Sequence, residues 1–206
     1  MVLYLSVIIV ATILISVLNI FCNPVAMDWS WYWIVIGTVL SVIVEIGICG
    51  MFAAIIHAMP EKWFSPDKKF FSVGKKERKF YEKIGIKSWK DKVWELGALG
   101  GFRKNKIADP NDPDYLHKFL VEANIGLVIH LVGCVTGFAV IFILPLKFAW
   151  TIGFPVAMVG LFLNTLPSMI LRYNTPKLKV AYERARRLKE REEKTDTKNK
   201  EETNKE

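Results

Sequence analysis

The chain has 206 residues, 52% of them hydrophobic, and its 28 Lys+Arg against 20 Asp+Glu leave a net charge of +8. A mean hydropathy of +0.26 is too apolar for an ordinary soluble domain, and the charge is too high for a chain lying wholly in lipid. A soluble nucleic-acid binder would share the charge but not the long apolar runs, and those runs exclude it.

Val2–Cys22 is an uncharged apolar run long enough to span a bilayer, with no basic start and no small-x-small cleavage signal, so a retained transmembrane helix is expected. Asn23, Pro24 and Asp28 mark a turn, and Trp29, Trp31, Tyr32 and Trp33 read as an aromatic belt. A second span runs from Trp33 to Met59, where Gly37/Ser41 and Gly50/Ala54 stand at the spacing that lets helices approach closely. Glu45 lies near its middle, either as a functional carboxyl or as a hydrogen-bonded structural one. His57 near its end reads as a surface residue.

Pro60–His117 is polar, with Phe70/Phe71, Phe80/Tyr81, Trp89 and Trp94 interleaved among lysines, a composition suited to a basic amphipathic segment on an anionic leaflet. Gly97, Gly100 and Gly101 break the pattern, and the aspartate-proline run from Asp109 is a turn with Asp114 as helix cap. Tyr115–Leu144 reads as one long third helix bearing Glu122 and His130, thinned by Gly126, Gly133 and Gly137. After a turn at Pro145–Lys147, Ala149–Leu171 forms the fourth span, with Gly153, Ala157 and Gly160 in small-residue steps and kinks at Pro155 and Pro167. Leu178–Glu193 reads as a separate basic helix on the membrane or against the middle segment, and Thr195–Glu206 as disordered.

The expected architecture is therefore an all-α integral membrane protein with four transmembrane helices: spans one and two in 1–59, the basic aromatic segment in 60–114, spans three and four in 115–176, and a cytoplasmic C-terminal helix with its tail in 177–206. Apart from Lys147, every basic residue falls in Lys62–Lys118 or Arg172–Lys205, which puts those segments and both termini in the cytoplasm of a cell membrane. Cys22, Cys49 and Cys134 form no CxxC pair and have no His or acid at ligand spacing, so buried thiols and no metal site are expected.

Asn164–Leu178 holds the densest polar pattern at a span end: Asn164, Pro167, Arg172, Tyr173, Asn174 and Pro176. It reads either as a helix end with a snorkelling arginine and a proline stop, or as the wall of a polar site at the membrane surface. A hairpin turning near Lys147 puts His130 and Asn164 at one depth, since each lies about seventeen residues from that turn at about 1.5 Å per residue. The sequence thus predicts a Glu122–His130–Asn164–Arg172 cluster just below the inner surface.

From about Pro60 to Leu188 the chain resembles the glycosyl-diaponeurosporenoate acyltransferase family. The resemblance rests on PEKWF at 60–64, KFYEK at 79–83, WKDK at 89–92, Glu122 with His130, and N-x-x-P-x-x-I-x-R-Y-N-x-P-x-L from Asn164 to Leu178. His57 and His117 stand outside its pattern, and His117-x4-Glu122 is only a loose likeness to other acyltransferase motifs. The resemblance implies transfer of a fatty acyl chain from a thioester donor, acyl-CoA or acyl carrier protein, to a hydroxyl of a glycolipid, as in carotenoid biosynthesis, or of another polar lipid. No cofactor is implied. His130 is then the natural general base, with Glu122 or a neighbouring helix orienting it and Asn164 donating to the oxyanion. Arg172 and Lys90, with Tyr173 and Asn174 beside the arginine, are assigned to the substrates, and Trp89 to anchoring the Lys90 loop. No nucleophile motif is present, so direct transfer is expected. The rivals are a non-catalytic scaffold of a lipid-modifying complex, and a small transporter subunit in which Glu45 would be the key residue.

Overall fold

In a computed structural model, residues 2–24, 29–93 and 109–203 are described. Four helices are long and apolar enough to cross a membrane, Tyr4–Cys22, Trp31–His57, Pro113–Ile143 and Leu146–Thr195, which makes this a multi-pass all-α membrane protein. The labelled elements are α1 (Val2–Cys22), α2 (Trp31–His57), α3 (Lys75–Lys83), α4 (Ile86–Trp89), α5 (Pro113–Thr136), α6 (Val140–Ile143), α7 (Leu146–Phe148) and α8 (Phe154–Thr203). Asp28, Trp94, Gly97, Gly100 and Gly101 lie outside the described residues.

The spans are helical because a bilayer offers the backbone no other partner for its polar groups. Their outward faces are correspondingly apolar and exposed, as at Val10, Ile13, Leu40 and Ile43. The two hairpin turns meet at one end of the bundle. There the Trp29 and Phe148 rings stand edge to face at 5.0 Å, and Lys147 Nζ lies 4.6 Å from the Trp29 ring centre. The basic residues 60–93 and Arg172 occupy the other end.

Several sequence expectations need correction. Asp112, not Asp114, caps α5: its side chain accepts from Asp114 N–H, and Pro113 sits at the first helical position, where no N–H is needed. The third span has the expected length, Pro113–Ile143, but within it Gly137–Ala139 tightens into a 3₁₀ turn between α5 and α6. Gly37 and Gly50 are not packing sites, because a Cβ on either would meet nothing within 4 Å.

The largest departure is α8. It runs 50 residues without stopping at Pro176, and so joins the fourth span, the expected separate basic helix and most of the expected disordered tail. At 1.5 Å per residue it is about 75 Å long, against about 30 Å of hydrocarbon. A proline removes one backbone bond, and packing sustains the rest. Beyond Pro176 the helix pairs with the start of α5, with the His117 and Tyr182 rings 5.7 Å apart and Lys189 Nζ 2.7 Å from Asp114 Oδ2. Pro155 lies in the first turn, preceded by a π-helical turn at Ala149–Gly153 whose Thr151 carbonyl accepts from Asn19 Nδ2 at 2.8 Å.

The described part of the basic segment, 60–93, is not a single helix. It is a series of short helical turns in which neighbouring aromatics divide. Phe64, Phe71 and Tyr81 are buried, whereas Trp63, Phe70 and Phe80 are exposed. Phe64 and Phe71 pack under Val121, Ile125 and Leu171; Tyr81 and Ile86 pack on Ile170 and Tyr173.

Candidate active site

The antiparallel pairing of α5 and α8 brings His130 against Asn164, with His130 Nδ1 3.1 Å from Asn164 Oδ1. The orientation of the amide follows from its other bond. Asn164 Nδ2 donates to the Gly160 carbonyl at 3.0 Å, so its oxygen must be the atom facing the ring. Nδ1 is then a protonated nitrogen, so that in the neutral ring Nε2 is the basic one.

Close approach here depends on Gly133. A Cβ at that position would stand 2.8 Å from Asn164 Oδ1, so any larger residue would displace the Asn164 amide from its place against the ring. The turn that carries Asn164 is also supported from α1. Pro167 has no N–H to give the Leu163 carbonyl, and Tyr4 Oη donates to that carbonyl instead, at 3.2 Å.

Arg172 is two turns further along α8 and belongs to a different assembly. Its Nε and Nη2 donate to Glu77 Oε1 and Oε2 at 2.7 and 2.6 Å. Nη1 and Nη2 also donate to the Phe70 and Ser72 carbonyls at 2.6 and 3.3 Å. Tyr81 Oη completes the node, donating to Glu77 Oε1 at 2.7 Å. Four of the five guanidinium N–H groups are thereby directed at protein acceptors. Hydrogen bonding from Arg172 holds the Glu77 carboxyl below its usual range, and burial, reinforced by Glu77, pushes the Tyr81 phenol up to about 12.

The expected cluster of four thus divides. His130 and Asn164 form one pair, Arg172 joins Glu77, and Glu122 sits half-buried two turns before His130 on α5, joined to neither by any hydrogen bond among the described residues. Trp89 packs in the apolar cluster around Tyr173 and donates through Nε1 to the Ile84 carbonyl at 3.3 Å. Lys90 lies 4.0 Å from Asp91. Tyr173 is 2% exposed, and its hydroxyl has no partner among the described residues. Asn174 is half-buried beside it.

Three residues of these assemblies were not singled out from the sequence. Glu77 resembled any other acid in a lysine-rich stretch and carried no signal. Tyr4 stood in an unremarkable apolar run. Asn124 did carry one, as an amide in an apolar helix, and its Nδ2 donates to the Phe64 carbonyl at 2.9 Å, fastening the 60–64 turn to α5. Among the described residues no group of His, Cys, Asp and Glu could hold a metal ion.

Residues 60–184 match the family model described as glycosyl-4,4'-diaponeurosporenoate acyltransferase. The match takes in α3 to α7 and α8 as far as Arg184, and leaves α1 and α2 outside. No curated protein and no solved structure matches the chain.

Proposed function

The chain belongs to the glycosyl-4,4'-diaponeurosporenoate acyltransferase family, whose members act on lipid at a membrane, and from that premise we propose the reaction and the residues that carry it. A fatty acyl chain moves from a thioester, acyl-CoA or acyl carrier protein, to a hydroxyl of a glycolipid or other polar lipid at the cytoplasmic face. The observation that carries this reading is the His130 Nδ1–Asn164 Oδ1 bond, which holds the ring in the tautomer a general base requires.

In the proposed reaction the acceptor hydroxyl gives its proton to His130 Nε2 as its oxygen attacks the thioester carbonyl carbon. Collapse of the tetrahedral intermediate breaks the C–S bond, and the sulfur leaves with the proton held on Nε2. The products are an ester and a free thiol, with no acyl-enzyme. The second N–H of the Asn164 amide is available to the oxyanion, so one side chain both orients the base and stabilises charge. Glu122, two turns nearer the basic end on α5, suits a hydroxyl-rich headgroup. Lys90 and Asn174 suit the polar part of the donor, whereas Trp89 and Tyr173 shape the wall behind them. Arg172, with its fork on Glu77, fastens the 70–83 segment to α8 rather than gripping a phosphate.

An Arg172 node with four of five donors spent inside the protein favours a second reading, a non-catalytic subunit of a lipid-modifying complex. His130→Ala separates the two. In membranes supplied with acyl-CoA or acyl carrier protein thioester, His130→Ala should lower acyl transfer about 10²- to 10⁴-fold while the protein still inserts and folds. Undiminished transfer by a folded His130→Ala protein would remove the base. Lipid extracts of cells with and without the wild-type chain identify the acceptor as the species whose acylated form disappears.

A further inference from the structure

Glu45 lies outside the matched region, in the middle of α2, and is 7% exposed. A carboxyl is costly to bury in an apolar bundle, and a leucine would fill the same volume at less cost. Yet the bundle makes room for this one from two sides. A Cβ on Gly160 of α8 would overlap Glu45 Oε1, and a Cβ on Gly137 would come within 2.9 Å of the same oxygen. Two separate segments therefore lack a side chain where this carboxyl sits. Oε1 also accepts from Cys49 Sγ at 3.4 Å, and Cys49 Sγ in turn lies 3.9 Å from the Gly133 carbonyl.

These same residues lead to the His130–Asn164 pair. Gly160 seats the Glu45 carboxyl and, through its own carbonyl, holds Asn164 Nδ2. Gly133 receives the Asn164 amide on one side and faces Cys49 with its carbonyl. Glu45 of α2 thus meets α8 at Gly160, one helical turn before Asn164, and both side chains lie where α5 and its Gly137 end approach α8.

We infer that Glu45 is a positioning residue for the site: its carboxyl, keyed into the Gly137–Gly160 notch, sets the spacing of α5 and α8 at which Asn164 Oδ1 meets His130 Nδ1. Its catalytic consequence rests on the proposed role of His130; its geometric content does not.

The test uses the full chain in lipid vesicles and a cycle of Glu45→Ala, Gly160→Ala and the double variant, with Glu45→Gln as the conservative control. Glu45→Gln keeps the shape and one oxygen, and should retain kcat within about threefold. Glu45→Ala should lower kcat about 10- to 100-fold with KM unchanged, because the residues facing the substrates are untouched. Gly160→Ala should lose as much, since its methyl collides with the carboxyl. In the double variant the methyl occupies the vacated space and should recover at least tenfold over either single change. Nitrogen NMR of labelled histidine gives a readout independent of turnover: the Nδ1–H tautomer of His130 should persist in Glu45→Gln and become mixed in Glu45→Ala. If Glu45→Ala does not insert, Glu45→Asp, which withdraws the carboxyl by one methylene, takes its place in the cycle.

Wild-type kcat and an unchanged tautomer in Glu45→Ala would overturn the inference and leave acyl transfer standing. No recovery in the double variant would overturn the keyed notch. A tautomer that follows Glu45 in a protein showing no acyl transfer would uphold the positioning role and discard the proposed reaction.

Discussion

Two polar assemblies lie about 12 Å apart along α8, from the eight residues between Asn164 and Arg172, and they are built on opposite principles. The Arg172–Glu77–Tyr81 node is charged, spans two distant parts of the chain and turns its donors and acceptors on one another. The His130–Asn164 pair carries no carboxylate, and its bond puts the Nδ1 proton on the side of the amide, in a ring suited to moving a proton. A polar group whose capacity is spent within the protein holds structure together, whereas one held in a defined tautomer is prepared for chemistry. The family pattern around Asn164–Leu178 runs across both and does not distinguish them.

Substitutions that affect activity and stability separately sharpen this contrast. After His130→Ala itself, Asn164→Ala should have the largest effect, lowering kcat about 10²-fold by releasing the ring, with little change in melting temperature. A large loss of stability with activity per folded molecule intact would make the pair structural. Arg172→Ala should do the reverse. It strips a half-buried carboxylate of its partner and should destabilise the protein by about 2–3 kcal/mol in detergent unfolding, while activity at low temperature survives. Arg172→Lys should restore part of that loss, since a point charge replaces a planar fork.

The node should also give stability a pH signature of its own. Glu77 titrates lower in the folded than in the unfolded chain, so its contribution is present above 4.5 and is lost as pH falls through the folded value. Tyr81 is raised from 10.0 to about 12, so its contribution is complete below 10 and disappears as pH climbs to about 12. Glu77→Gln should flatten the acid limb of melting temperature against pH, and a limb that persists would place its origin elsewhere. The smallest expected effect belongs to Tyr4→Phe, which removes the donor that replaces the missing Pro167 N–H. It should cost about 0.6 kcal/mol, readable as a slight fall in detergent unfolding free energy, and no more than a few-fold in kcat.

Much of this was legible in the residues. A hairpin turning at Lys147 with equal arms implied the meeting of His130 and Asn164, because helical rise converts residue count into depth. The Arg172 contact with Glu77 was not legible, since 95 residues separate them and nothing in the lysine-rich stretch distinguishes Glu77 from Glu82. Proline rules pointed to a stop at Pro176, but the pairing of α8 with the start of α5 carried the helix past it. The small-residue rule pointed equally to Gly37, Gly50, Gly133, Gly137, Gly153 and Gly160, and of these the last four have neighbours that need the space.

Composition and apolar run length by themselves determined that this chain crosses a membrane four times as helices, because hydrocarbon leaves a polar backbone no other way through. They also placed the basic segments together at one end of the bundle. Which polar groups meet inside was decided only by the tertiary structure. Each residue turns a helix by about 100°, so the face a side chain presents, and therefore its partner, depends on how neighbouring helices are rotated and spaced. That rotation seats Glu45 against Gly160, one turn before Asn164, and keeps Glu122 off His130, though all four are equally plain as polar letters in apolar text.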